Sequence, residues 1–306
     1  MLDRNTAEVT ALPRTGSAIP SQVSGSVRWI VDFSRHKPLG AIGGAMFLVL
    51  IVVAVFSPLI APYDERATHG DFLFVPPGTT QWLLGTDDLG RDVFSRVVAG
   101  ARISLYVGIG SVLIGMTIGF VVGIASTYAG GKVDMTVQRF VDALLALPGL
   151  IIALAIMAVL GPSLNNVIIA IVIGMLAPVI RTVRSQVLTL KELDYVLAAR
   201  AVGAGSVRII MRHMIPNVAA IWIVTVTFYM AIAIIAEASL SFLGFGAGPD
   251  VPSWGGMLSG ASSQYVKLAP WLAVFPGIAI AVVVFSWNVL GDALRDVLDP
   301  RLKGTN

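Results

Sequence analysis

The sequence contains no cysteine and only three histidines in 306 residues. Without cysteine there is no disulfide, no thiolate nucleophile and no sulfur-rich metal site. His36, His69 and His213 stand far apart, and no His-Glu-x-x-His pattern puts two on one helical face, so no protein-held metal is expected. Charge is scarce as well: 13% of residues are charged, about half the share in a soluble domain. Also missing is the nucleotide-binding phosphate loop, Gly-x-x-x-x-Gly-Lys followed by Ser or Thr. The nearest stretch, Gly131-Lys132-Val133, lacks both the first glycine and the hydroxyl residue. A Gly-x-Ser-x-Gly nucleophile elbow and clustered His/Asp/Glu are absent too, which argues against a membrane enzyme.

What the chain has is apolar residues, 56% of the total, with a mean hydropathy of +0.83. They run in long blocks that occupy every face of a helix, the pattern of a segment in lipid or in a bundle core. The net charge of +3 and pI near 9.3 do not point to nucleic acid. The cations lie between the apolar blocks, and no Lys/Arg run is interleaved with aromatics. An all-α membrane protein with about six spans is expected.

Residues 1–37 form a polar N-terminal tail expected to be partly disordered. The apolar stretch after it is too long for the h-region of a secretory signal. Spans are expected at about 39–60, 103–131, two within the charge-free stretch 143–180, 214–236 and 268–291, each near the ~20 residues of a crossing. Gly161-Pro162-Ser163 and Asn165-Asn166 divide the long stretch with a tight turn, and Pro148, Pro178 and Pro276 are expected to kink their helices. An external loop covers about 62–102, with a short interfacial helix near its end, and a second covers about 237–267. A cytoplasmic loop covers about 181–213, the permease domain as a whole 38–303, and 304–306 is the C-terminal end.

The cations orient the chain. One side collects the N-terminal cluster of Arg28, Arg35, His36 and Lys37, then Lys132, Arg139, Arg181, Arg184, Lys191, Arg200, Arg208 and Arg212, and the C-terminal tail with Arg295, Arg301 and Lys303. The other side has Arg66, Arg91, Arg96, Arg102 and Lys267, accompanied by many acids. By the positive-inside rule both termini and the 181–213 loop are cytoplasmic.

Several residues are candidates for function. Gly115, Gly119 and Gly123 recur every fourth residue, which lets helix backbones pack closely; packing inside the bundle is favoured over a homodimer face. In the 181–213 loop, a helix runs to Val202, Gly203 and Gly205 stop it, and Ser206 caps the next, which runs to Pro216 at the first turn of a span. The small residues Ala198, Ala199 and Gly203 would admit a partner's backbone, and Arg200 and Arg208 could pair with its acids. On charge alone a solvated, topology-setting loop is the favoured reading. Asp87, Asp88, Arg91 and Asp92 read as an external turn with an Asp N-cap and a local ion pair. Asp142 and Glu237 are placed at span ends, near enough to an interface to be solvated.

At this point the chain resembles the inner-membrane permeases of binding-protein-dependent ABC importers. Their shared pattern is Glu-Ala-Ala, three residues, Gly, nine residues, Ile-x-Leu-Pro. Here it appears as Leu197-Ala198-Ala199, Gly203 and His213-Met214-Ile215-Pro216, with Leu197 in place of Glu and His213 in place of Ile. Further stretches resemble the C-type subunit of the peptide/nickel branch. They are Leu84-Gly85-Thr86-Asp87-Asp88-Leu89-Gly90-Arg91-Asp92, Glu237-Ala238-Ser239-Leu240-Ser241-Phe242-Leu243-Gly244, Pro252-Ser253-Trp254-Gly255 and Gly291-Asp292-Ala293-Leu294-Arg295-Asp296.

The resemblance implies an importer permease fold and a coupling helix, about 195–208, docked on a cytoplasmic ATPase. Tyr195, Ala198, Ala199, Arg200, Gly203, Ser206, Arg208 and Pro216 are then the coupling residues. It also implies a homologous second permease, two ATPase subunits or domains that hold ATP and Mg, and an extracytoplasmic substrate-binding protein. This chain itself would carry no cofactor and lie in the inner (plasma) membrane. Peptides are the expected substrate, with nickel chelates, glutathione or a related small solute as alternatives. An ion-driven secondary transporter would need ionisable groups within the spans and broken helices in related halves, and a channel would need a filter segment or charged ring; neither pattern is evident.

Overall fold

The computed structural model describes residues 34, 35, 37–248 and 250–298. The tail at 1–33, His36 and the C-terminal end at 304–306 lie outside the described residues. All regular structure described is helical, apart from one isolated antiparallel bridge between Thr86 and Asp92. The helices are α1 (Pro38–Val55), α2 (Ser57–Ile60), α3 (Val93–Ala129), α4 (Gly131–Leu145), α5 (Gly149–Leu160), α6 (Leu164–Lys191), α7 (Asp194–Ala201), α8 (Ser206–Ile209), α9 (Ile215–Phe242), α10 (Trp254–Tyr265) and α11 (Trp271–Leu298). Five are long and apolar enough to cross a membrane: α1, α3, α6, α9 and α11. The α4–α5 pair, bent by 86°, brings the number to six if it counts as one span.

The centre of the bundle is the packing of α3 on α6. Gly115, Gly119 and Gly123 lie on the contact face. A Cβ at these positions would come 2.5 Å from Met175 Sδ, 2.5 Å from Val179 Cγ1 and 2.8 Å from Val183 Cβ. Both helices thus present every fourth residue, small against larger, so that two backbones approach closely where lipid supplies no hydrophobic drive between them. On the other flank α1 packs on α11. There Ser286 Oγ donates to the Gly43 carbonyl at 2.7 Å, and Phe47 meets Trp287 with ring centroids 4.1 Å apart.

Several boundaries differ from the sequence expectation. The interfacial helix and second span form one 37-residue helix, α3, about 55 Å long. The loop expected to be external therefore ends at Asp92, whose side chain accepts from Ser95 N as the N-cap. Residues 181–191 extend α6, and residues 237–242 extend α9, so the polar loops on both sides are shorter than charge implies. Part of the second external loop is itself helical, α10. Pro178 and Pro276 lie inside unbroken α6 and α11, whereas Pro148 separates α4 from α5 outright. Asn165 and Asn166 sit in the first turn of α6. Asn166 Nδ2 donates to the carbonyls of Leu160 and Gly161 and closes the turn.

Candidate functional site

Two regions combine polar chemistry with exposed surface. The first is the short helix α7 and its flanks. Asp194 in the first turn and Arg200 in the last suit the helix dipole. Val196 alone anchors the helix, fully buried. Tyr195 and Leu197 are exposed, as are Ala198, Arg200 and Ala201, while Ala199 is half-buried. The helix stops in a Schellman motif: Gly203 N donates to Arg200 O at 3.0 Å and Ala204 N to Ala199 O at 3.0 Å. Gly203 holds φ +82° with nothing within 4 Å of where a side chain would start.

Past this stop, Ser206 does not cap α8. The N-cap is Gly205, with no side-chain hydrogen bond, and Ser206 is the exposed first residue of the helix. Ile210–Met214 then forms a π turn, with Ile215 N donating to Ile210 O. The irregularity has a cause: Pro216 has no N–H for a regular ladder, and the wider turn enters α9 with Pro in its first turn. Asn217 Nδ2 donates to His213 O at 2.6 Å, and His213 faces Tyr195 with centroids 5.7 Å apart. Tyr195, Arg200, Ser206 and Arg208 therefore all stand on one exposed ridge, while Pro216 shapes its base.

Sequence reasoning missed the apolar part of this ridge. Val202, Val207 and Met211 are 85%, 75% and 61% exposed. The available signal was three large apolar residues set among Arg200, Arg208 and Arg212 in a segment too polar to be a span. Such a patch rimmed by cations has the form of a protein-docking surface.

The second region is the opposite end. Asp87 Oδ2 accepts from Arg91 Nε at 2.6 Å and its Oδ1 from the backbone N–H groups of Leu89 and Arg91. Arg96 is buried and donates to the Glu65 carbonyl at 2.9 Å. Trp254 Nε1 reaches the Val97 carbonyl at 2.9 Å, and Trp271 Nε1 reaches that of Thr86 at 3.1 Å. The segments 62–92 and 243–270 are therefore bolted to the ends of α3 and α11. Glu237 corrects an expectation: it is not near solvent but 1% exposed, one turn inside α9. Ser241 Oγ donates to it at 2.8 Å, and Ser104 Oγ approaches at 3.4 Å.

Of the other candidates, Asp142 pairs with Arg181, and Asp134 with Arg184 at 2.7 Å, tying α4 to the end of α6. His69 lies beside Trp82, remote in the chain from His213 on the opposite end. No group of three His, Cys, Asp or Glu suited to a metal occurs among the described residues.

A body of membrane-length helices with a short helix held out at one end is a polytopic membrane protein. The chain belongs to the family described as binding-protein-dependent transport system inner membrane component, which matches residues 115–304. The N-terminal TM domain of oligopeptide transport permease C matches residues 32–77. The chain is 43% identical, over 89% of its length and 91% of the relative's, to a di/tripeptide transport system permease protein of Pseudomonas aeruginosa. It is 44% identical, over 88% and 89%, to a glutathione transport system permease protein of Escherichia coli. Among solved structures it resembles a chain of the inward-facing MetNI methionine ABC transporter, with TM-score 0.56 and 19% identity over 67% of this chain and 97% of that one. The chain is thus an inner-membrane permease subunit of an ABC importer, a class in which ATP hydrolysis belongs to other subunits.

Proposed function

We propose that this chain forms half of a path through which short peptides are imported, and that α7 with its flanks docks on a cytoplasmic ATPase. The observation that carries the docking is the ridge itself: a helix with one buried side chain, Val196, stopped by Gly203 and followed by exposed Val202, Val207 and Met211. Free surface of that kind has a stable place in water when a partner covers it. The partners are a homologous second permease, two ATPase subunits or domains and an external binding protein, with both termini on the ATPase side. ATP and Mg are held by the ATPases.

Relatives named for di/tripeptide transport support peptides as cargo. Relatives named for glutathione transport support a second reading, in which the cargo is that tripeptide thiol. Purification of the tagged chain in mild detergent tests the assembly. Recovery with a second permease and two ATPase domains is the expected result, whereas recovery alone or as a homo-oligomer would overturn the proposed assembly. Uptake of labelled trialanine and of glutathione by the reconstituted complex then separates the two cargo readings.

A further inference from the structure

At the break between α4 and α5 the backbone is left open on the flank of α6. Helix α5 has Pro148 as its N-cap and no side-chain cap, and its first backbone bonds run from the N–H groups of Ile151 and Ile152 to the Pro148 carbonyl. The N–H groups of Gly149 and Leu150 therefore have no hydrogen-bond partner among the described residues, and both residues are exposed.

The depth of this opening follows from α6. A Cβ on Gly149 would lie 3.4 Å from the Gly174 carbonyl oxygen, and one on Gly174 would lie 3.2 Å from that of Gly149. Gly174 is ten residues beyond Leu164 at the start of α6, about 15 Å along the axis, or half of a ~30 Å hydrocarbon core. Helix α5, with 12 residues, spans only about 18 Å. It is a half-helix whose positive end stops near mid-membrane. Unpaired backbone donors at that depth are tolerated where they line a wet cavity, not where they meet lipid.

Two further groups face the same place. Pro178 has no N–H to give to the Gly174 carbonyl four residues earlier, so that acceptor loses its regular helical donor. Tyr229 on α9 is nine-tenths buried, and its hydroxyl has no hydrogen-bond partner among the described residues. Gly149, Leu150, Gly174, Pro178, Tyr229 and Ile232 all line one cavity of about 400 Å³, within the range of small-ligand sites.

We propose that this cavity is a station on the translocation path and that it receives the carboxylate end of a short peptide in transit. The N–H groups of Gly149 and Leu150, at the positive end of α5, donate to the carboxylate. The Tyr229 hydroxyl is a further donor, and the Gly174 carbonyl is an acceptor for a peptide N–H. These contacts address groups common to all peptides. The apolar remainder, Ile232 among it, meets side chains without hydrogen bonds. The station thus suits cargo that varies in sequence but keeps its carboxylate. It rests on the peptide-import reading above.

The absence of cysteine makes the test direct. Ile232→Cys places the chain's one thiol on the cavity wall. The complete complex, with its binding protein and ATP, is reconstituted in vesicles, and maleimide labelling of this chain is followed by mass spectrometry alongside trialanine uptake. Trialanine is expected to slow labelling at least threefold, and trialanine amide to slow it less. Adding Gly149→Pro deletes one N–H at the first helical position, where proline is tolerated and Pro148 is already extended at ψ 134°; the protection should then fall.

Gly149→Ala keeps the N–H and should keep the protection, and Tyr229→Phe should reduce it. If trialanine is taken up yet labelling is unchanged, the station is refuted while the import reading stands. If no peptide is taken up, the import reading fails and the station with it. If labelling follows the anionic lipid content of the vesicle instead of peptide, the site belongs to a lipid headgroup and the proposal is overturned.

Discussion

Val179 presses against the place where Gly119 would carry a side chain, with 2.5 Å left for a Cβ. Gly119→Leu should therefore push α3 from α6 at a cost of at least the ~1–3 kcal/mol of ordinary overpacking. Gly44, whose nearest neighbour would be Leu290 Cδ1 at 3.6 Å, should accept alanine with little effect. Thermal unfolding in detergent, read on both variants, checks this; equal midpoints would mean that the α3–α6 seam is not where the bundle is held.

Glu237 poses a different residue-scale question, because its partners are the hydroxyls of Ser104, Ser241 and Ser253. Removing it strands buried polar atoms at about 1–3 kcal/mol. Glu237→Ala should lower the midpoint, while Glu237→Gln, which keeps shape and hydrogen-bonding capacity, should restore most of it. If both variants are equally unstable, the negative charge itself is required there.

Among the elements, α7 is the one whose exposed face outweighs its buried one. Gly203 ends it at φ +82°, a conformation that costs most other residues roughly 1–2 kcal/mol. Gly203→Asp also adds a charge to the ridge proposed to dock on the ATPase. Its expected effect is loss of about 2 kcal/mol of docking, roughly thirtyfold. The variant should still insert in the membrane, and the ATPases should still hydrolyse, but uptake in vesicles should collapse. Full uptake by this variant would remove α7 from the coupling role. Helix α4 is held by Asp134–Arg184 and Asp142–Arg181. The second pair is half exposed on both sides and worth about 1 kcal/mol at most, so Asp142→Ala should leave folding nearly intact and loosen only the C-terminal end of α4, seen as faster local hydrogen exchange. Asp134 is buried and accepts from both Nε and Nη2 of Arg184, so Asp134→Ala should cost more.

For the whole molecule the decisive property is its orientation. One end is bolted by Trp254, Trp271 and buried Arg96, and the other end carries the ridge from Tyr195 to Met211. If that ridge meets ATPases, Ser206 lies in the cytoplasm. Ser206→Cys, unique because the chain has no cysteine, should react with an impermeant maleimide in inside-out vesicles and not in intact cells. Labelling from outside intact cells would invert the topology and detach the ridge from any cytoplasmic partner.

Much of this protein was legible one residue after another. Apolar blocks announce spans because the free energy of placing a segment in lipid is nearly a sum over its own residues. The Schellman stop at Gly203 and the Asp92 cap were equally local, since each closes hydrogen bonds within a few positions. Charge misplaced the ends of spans, because Glu237 and Arg181 lie within helices that continue past them. A buried or paired charge looks the same in sequence as a solvated one.

What only the tertiary structure decided depends on residues remote in the chain. Ser104 and Glu237 meet across 133 positions. Gly149 meets Gly174 to leave a half-helix open at mid-depth, and Tyr229 comes to face the same cavity from α9. No additive property along the chain encodes these meetings; they follow from which helix faces pack once every span is already in place.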